Sequence, residues 1–314
     1  MRIGLLVDST CDLPKSFIEA NSITIAPATV RIGDYFIEDR RDPRETLTFY
    51  GTHLDHKSKD FAESIQCSSE QFEALVLERM VLNIDYIFCL TISEQRSPLY
   101  RNAIQASIPL MFKCKRARRD AGIAEHFDLA IHSSRNLFTG QAVQVAEIVR
   151  LIREEKTPVE ITARLSKLVE ATQTYVIPAD LYYLHKRASK KGEASVGLGA
   201  YLVGSLLDVT PIVHFNRDES QTPVKVRGFE TACEKLFAHA VERIRSGLEA
   251  PFVGVSYGGP LENLQTLPGF SALLSAANEA SVEVLTAPMS ITAAVNVGPG
   301  ALSLAFIAAG QTLA

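Results

Sequence analysis

The sequence predicts a two-domain α/β protein whose first domain is built on a mainly parallel sheet, and three observations lead there. The chain has 314 residues, about twice the length of an ordinary single domain. In its first half, short apolar runs each end in a hydroxyl-rich turn and pass straight into a helical pattern: "IGLLVDST" from residue 3, "YIFCLTIS" from 86 and "FDLAIHSS" from 127. Buried runs of this kind alternating with helices are the pattern of a parallel sheet covered on both faces. The third observation is a change of pattern at Thr157-Pro158, where a helix restarts after a charged turn.

Each element follows from local chemistry. Parallel strands end on one sheet edge, where open α/β sheets place their ligands, so Asp8, Ser9, Thr10, Ser93, Ser133 and Ser134 are expected to converge. Thr157 reads as an N-cap with Pro158 at the first helical position, and the domain boundary is placed there: residues 1–157 and 158–314. In the second half "TYVI" reads as a strand, and "PIVHFN" and "PVKVRGF" as a hairpin turning across residues 217–220. A helix over about 231–246 carries Leu236, Phe237, Ala240, Val241 and Ile244 on one face, and the strands "FVGVSY" and "VEVLTA" follow. There are no internal repeats or heptads.

Composition removes several function classes. Hydrophobic residues make up 46% and charged residues 22%, and the longest apolar runs are broken well short of the ~18–20 residues that span a bilayer. The N-terminus enters a strand at once without a signal-peptide pattern, so a cytoplasmic location with no stable membrane insertion is expected. Cys11, Cys67, Cys89, Cys114 and Cys233 contain no C-x-x-C pair and read as reduced thiols. A net charge of −4 argues against a nucleic-acid surface. Lys113, Lys115, Arg116, Arg118 and Arg119 form one basic cluster, which is either a solvated helix end or a docking patch for an acidic partner.

A search for catalytic constellations yields little. No phosphate-cradling G-x-x-x-x-G-K-[ST] occurs, and Gly197-Leu198-Gly199 lacks the third glycine of a dinucleotide fingerprint. His53 and His56 flank Asp55 without a further ligand to complete a metal site; no metal or cofactor is expected. His132, beside Ser133, is the single candidate for an activated nucleophile. The remaining strand-end hydroxyls either cap the helices that follow or hold an anion, since Ser and Thr donate hydrogen bonds but do not ionise usefully near neutral pH.

At "LLVDSTCDLP" the sequence resembles the opening of the DegV family, D-S-T/S-x-D-L-P. Further segments resemble that family in register: "RIGD" at 31–34, "SIQCSSEQF" at 64–72 for T-S-Q-P-S-x-x-x-F, "TISEQRSPLYRNA" at 91–103 for S-S-G-L-S-G-T-Y-x-x-A, and then "LLDVTPIV", "KVRG" and "VGPGALSLAF". The resemblance implies a parallel-sheet N-terminal domain, a C-terminal domain with a mixed sheet, and a long-chain fatty acid in an interdomain tunnel. It also implies a partner, a fatty acid kinase subunit to which the acyl carboxylate is presented, with no catalysis by the chain itself.

Carried over residue by residue, the family's carboxylate-binding threonine falls on Ser64. The loop serine falls on Ser93 or, with a one-residue slip, on Glu94, and the arginine of K-x-R-G on Arg227. The sequence departs from the family where Asn296 replaces a histidine, Gln95 and Pro98 replace glycines, and Arg187-Ala188-Ser189 replaces G-G-R. Two other functions are weighed against lipid binding: an enzyme acting on a small anionic metabolite, which needs a compact polar pocket with a titratable group, and an interaction protein whose cleft is filled.

Overall fold

Alternation along the apolar strands decides the architecture, because successive side chains leave a strand on opposite faces. In β1 (Ile3–Asp8) Leu5 and Val7 enter one core and Leu6 another, and in β6 (Tyr86–Thr91) Phe88 and Leu90 separate from Ile87 and Cys89 in the same way. A sheet made of such strands is covered on both faces. The computed structural model describes residues 1–53, 62–183, 209–310 and 313. His56 and Asp55, the 187–189 segment and the 197–199 glycines lie outside these described residues.

The first sheet is parallel throughout, in the order β2 (Thr24–Ala26), β1, β6, β7 (Asp128–Ser133). Its outer face packs on α3 (Ser69–Arg79) and α4 (Leu99–Asp120) through Phe72, Val76, Ala103, Leu110 and Cys114. The second sheet is mixed: β10 (Glu219–Arg227), β9 (Val209–Asn216), β8 (Thr172–Ile177), β13 (Leu302–Ile307), β11 (Phe252–Tyr257), β12 (Glu283–Pro288), antiparallel except for the β11–β12 pair. Its outer face carries α7 (Phe229–Ser246) and α8 (Phe270–Glu279), with Leu236, Phe237, Ala240 and Ile244 buried as the helical spacing predicts.

Between the two sheets lies α5 (Thr139–Arg153), buried on nearly every side, with Val143, Ala146 and Ile148 in a core that contains residues of both sheets. Its polar residues pair with both sheets: Thr139 Oγ1 with Ser303 Oγ on β13 at 2.7 Å, and Gln141 Nε2 donating to Leu90 O on β6 at 2.8 Å. A Cβ at position 140 would lie 2.0 Å from Thr174 Oγ1, so only glycine allows the helix to approach β8 this closely. The next helix, α6 (Pro158–Ala171), starts as the sequence predicts, with Thr157 and Glu160 forming a capping box and Pro158 at the first turn.

Two features were not read from the sequence. A separate three-stranded antiparallel sheet, β4 (Tyr35–Asp39), β3 (Ala28–Ile32), β5 (Ala62–Ile65), stands beside the parallel sheet. The β9–β10 hairpin turns on two residues rather than four: Arg217 and Asp218 both have positive φ, 49° and 70°, the backbone of a type I′ turn that matches strand twist.

Candidate functional site

The predicted convergence of strand ends is present, and its hydroxyls are occupied by the protein. Asp8, fully buried at the end of β1, accepts from Thr10 N at 2.9 Å, Ile92 N at 2.6 Å and Gln141 Nε2 at 3.2 Å, and from the Thr10 hydroxyl. Burial pushes its carboxyl above the usual range, and these donors pull it back. Ser9 Oγ accepts from Ala28 N at 3.1 Å and lies 3.4 Å from Thr292 Oγ1. Ser133 Oγ accepts from Glu94 N and Arg135 N, and Ser134 N donates to Thr91 O.

Ser93 donates to the carboxylate of Asp218 at 2.6 Å. Arg135 Nε holds the other oxygen of Asp218 at 2.7 Å, and Asp218 N donates to Arg135 O. The tip of the second-half hairpin is thereby clasped to the edge of the first sheet. Arg96 adds a bond to Ser220 and stacks over Phe215, 5.7 Å from the ring centroid.

A second polar set joins the halves. Arg41, buried and at φ 61°, lies 3.4 Å from Asp12 and donates to Pro288 O at 2.9 Å. Asp12 also accepts from Ser256 Oγ at 2.6 Å and Ser290 N at 3.0 Å, and Asp39 accepts from the backbone and hydroxyl of Thr292, both at 2.8 Å. Burial raises both carboxyl pKa values, with Arg41 opposing it. These bonds fix the start of α9 (Ile291–Val297), the short helix that carries Asn296.

Against α9 the chemistry changes. Val30, Phe49, Ile291 and Ala294 form an apolar cluster with Tyr50 and Tyr183 at its margin. Ser64 pairs with Val30 in the β3–β5 register and so shares its sheet face. Ser64 is half-buried, and its hydroxyl makes no hydrogen bond among the described residues. Two residues on, Gln66 Oε1 is buried without a partner. Asn296 turns its amide onto its own helix, donating to Thr292 O at 2.6 Å. After α9, Gly298 has φ 89°, and a Cβ there would lie 2.6 Å from the Tyr183 ring. Arg227 is exposed at the end of β10 and makes no ion pair among the described residues.

Other candidates are closed off by their surroundings. His132 and Ser133 are consecutive on β7 and leave opposite faces; His132 Nε2 is buried without a partner and its ring stacks on Phe88. A polar cleft of about 650 Å³ beside β8–β10 contains His214, whose Nε2 donates to Gln173 Oε1 at 2.7 Å and whose Nδ1 accepts from Gln221 at 3.2 Å. Burial pushes this imidazole down to about 4, and both nitrogens are spent. All five cysteines are free and buried, and burial raises the Cys67 thiol to about 11 and Cys233 to about 12, which suppresses thiolate chemistry. Among the described residues no three His, Cys, Asp or Glu side chains are grouped as metal ligands, and no helix is long and apolar enough to cross a membrane.

Residues 2–309 match the family described as uncharacterised protein, DegV family. The chain belongs to the DegV family. A DegV domain-containing protein of Xanthomonas campestris pv. campestris is 44% identical over 308 residues, 98% of each chain. A relative in Thermotoga maritima described as a fatty acid-binding protein is 27% identical, over 96% of each. The DegV fold is seen again in the Streptococcus pneumoniae fatty acid kinase (Fak) B3 protein loaded with linoleic acid, with TM-score 0.70 and 15% identity over 98% of this chain and all of that one.

Asp39, Arg41 and Asp218 were missed by sequence reasoning, and no local pattern marks them, because each acquires its role from a partner more than a hundred residues away or from a strained backbone. Gln66 lies within a motif segment that the sequence did display.

Proposed function

We propose that the protein binds a long-chain fatty acid in a tunnel between residues 1–157 and 158–314, and that it presents the carboxylate to a kinase-type partner in the cytoplasm. The observation that carries this reading is the half-buried Ser64 hydroxyl, without a hydrogen-bond partner among the described residues, on the sheet face that packs against apolar α9. Burying an acyl chain contributes about 0.8 kcal/mol per CH₂, whereas a carboxylate without donors in such a place is prohibitive. Ser64 is such a donor. Ser93 joins it when Asp218 withdraws, Asn296 offers an amide in place of an imidazole, and Asp8, Ser9 and Thr10 hold the frame behind them. Arg227, exposed and unpaired among the described residues, meets the partner. The family membership, the fatty acid-binding relative in Thermotoga maritima and the linoleic acid loaded in the Streptococcus pneumoniae protein support the same reading.

Calorimetric titration of delipidated protein with stearate tests it. Ser64→Ala with Ser93→Ala is expected to weaken binding by about 1–3 kcal/mol, the cost of hydrogen bonds to a charged group; unchanged affinity removes this pair from the site. With ATP, acyl phosphate is expected only when a fatty acid kinase catalytic subunit is added, and Arg227→Ala is expected to reduce it with no change in melting temperature. Turnover by the protein alone that disappears in His132→Ala contradicts the reading.

A further inference from the structure

Helix α4 has two apolar faces, and the core uses one. Leu99, Ala103, Ala106, Leu110 and Cys114 face the parallel sheet and α3. Ile104, Ile108 and Phe112 face outward, 44%, 72% and 74% exposed. Their i, i+4, i+8 spacing makes a ridge about 12 Å long. At 100° per residue, Arg101, Lys115 and Arg119 fall on the same arc of roughly 80°, so the ridge has cations at both ends. The helix holds six basic residues and one acidic residue on a chain whose net charge is −4. The charges around the ridge are accounted for: Arg116 and Arg119 approach Asp120 at 3.6 and 3.8 Å, Lys113 pairs with Glu73, and Arg118 is buried on Asp85. Arg101 and Lys115 make no ion pair among the described residues and are exposed.

We propose that this face of α4 docks the protein onto anionic phospholipid bilayers, with Ile104, Ile108 and Phe112 entering the acyl boundary and the flanking cations meeting headgroup phosphates. Apolar residues on a surface helix with Lys and Arg beside them are the chemistry of interfacial binding. A second copy of the chain fits poorly: a two-fold contact centred on Ile108 sets Arg101 against Lys115 of the partner subunit, like against like. The inference rests on the fatty-acid reading for its purpose, the exchange of ligand with a membrane, but fails separately from it.

Co-sedimentation of the full chain with vesicles of phosphatidylcholine alone, or mixed with phosphatidylglycerol, is the test. Wild type is expected to pellet with the anionic vesicles and to be released by high salt. Ile108→Ser with Phe112→Ser, and separately Lys115→Glu with Arg116→Glu and Arg119→Glu, are expected to lower the bound fraction about tenfold or more with unchanged thermal melts. Both sets of variants should retain as much extractable lipid as wild type, which reads the cleft independently of the helix. Binding to neither vesicle, or variants that pellet like wild type, overturns the proposal. A wild-type dimer that ignores vesicles and that either set of substitutions breaks assigns the ridge to a second copy and overturns it equally.

Discussion

The strand-end edge of the parallel sheet and the wall made by β5 and α9 differ in how their polar groups are used. At the edge, Asp8, Ser9, Thr10, Ser93, Ser133 and Ser134 are numerous, and each has a protein partner. On the wall polar groups are few: Gln66 Oε1 is buried without a partner, and the half-buried Ser64 hydroxyl makes no hydrogen bond among the described residues. A buried polar group without a partner costs free energy that folding alone does not recover. The difference teaches that a dense set of hydroxyls marks a joint, and a sparse set on an apolar wall marks a place for a ligand.

The largest expected effect tests whether the joint is structural. Asp12→Ala leaves Arg41 buried without its carboxylate and strips acceptors from Ser256 and Ser290. It is expected to cost about 3–5 kcal/mol in urea denaturation; a loss below about 1 kcal/mol means that the junction tolerates rearrangement. Asp218→Ala comes next, with about 1–3 kcal/mol expected from the lost charged hydrogen bonds and a faster release of bound fatty acid in stopped-flow displacement, since the hairpin no longer clasps Ser93 and Arg135. A release rate equal to wild type separates the clasp from ligand exchange.

A smaller effect sharpens the contrast by sign. Hydrogen bonds from Arg2 and Arg118 hold the Asp85 carboxyl well below its usual range, so its contribution is fully present above the unfolded value near 4 and is lost progressively as pH falls from there toward the much lower folded value. The raised carboxyls of Asp8, Asp12 and Asp39 act oppositely: the native state holds their protons more tightly, and stability falls as pH rises from the unfolded value toward the folded one. Asp85→Asn is therefore expected to lower the urea midpoint at pH 7, with a gap from wild type that begins to narrow only as the pH falls below about 4. A difference that grows as the pH falls contradicts the assignment.

Much of the fold was legible because its rules are local. The hydroxyl turns after "LLVD", "FCLT" and "LAIH", the Thr157-Pro158 cap and the spacing of Leu236, Phe237, Ala240 and Ile244 all write their geometry into adjacent residues. The central placement of α5 was not legible: a helix buried on nearly every side is recognised only once both sheets exist. Ser93 shows the same limit at the site. Its position was visible, but its partner Asp218 lies 125 residues away on a two-residue turn whose backbone the sequence did not mark with glycine or asparagine.

The central claim is that the spare donor on the β5–α9 wall meets a fatty-acid carboxylate, and denaturing mass spectrometry of lipid extracted from the purified protein tests it most directly. About one equivalent of a long-chain fatty acid is expected from wild type, and clearly less from Ser64→Ala, whose stability should stay within about 0.5 kcal/mol of wild type. Wild-type protein that yields no fatty acid after growth on lipid-containing medium, or Ser64→Ala that retains a full equivalent, contradicts the account.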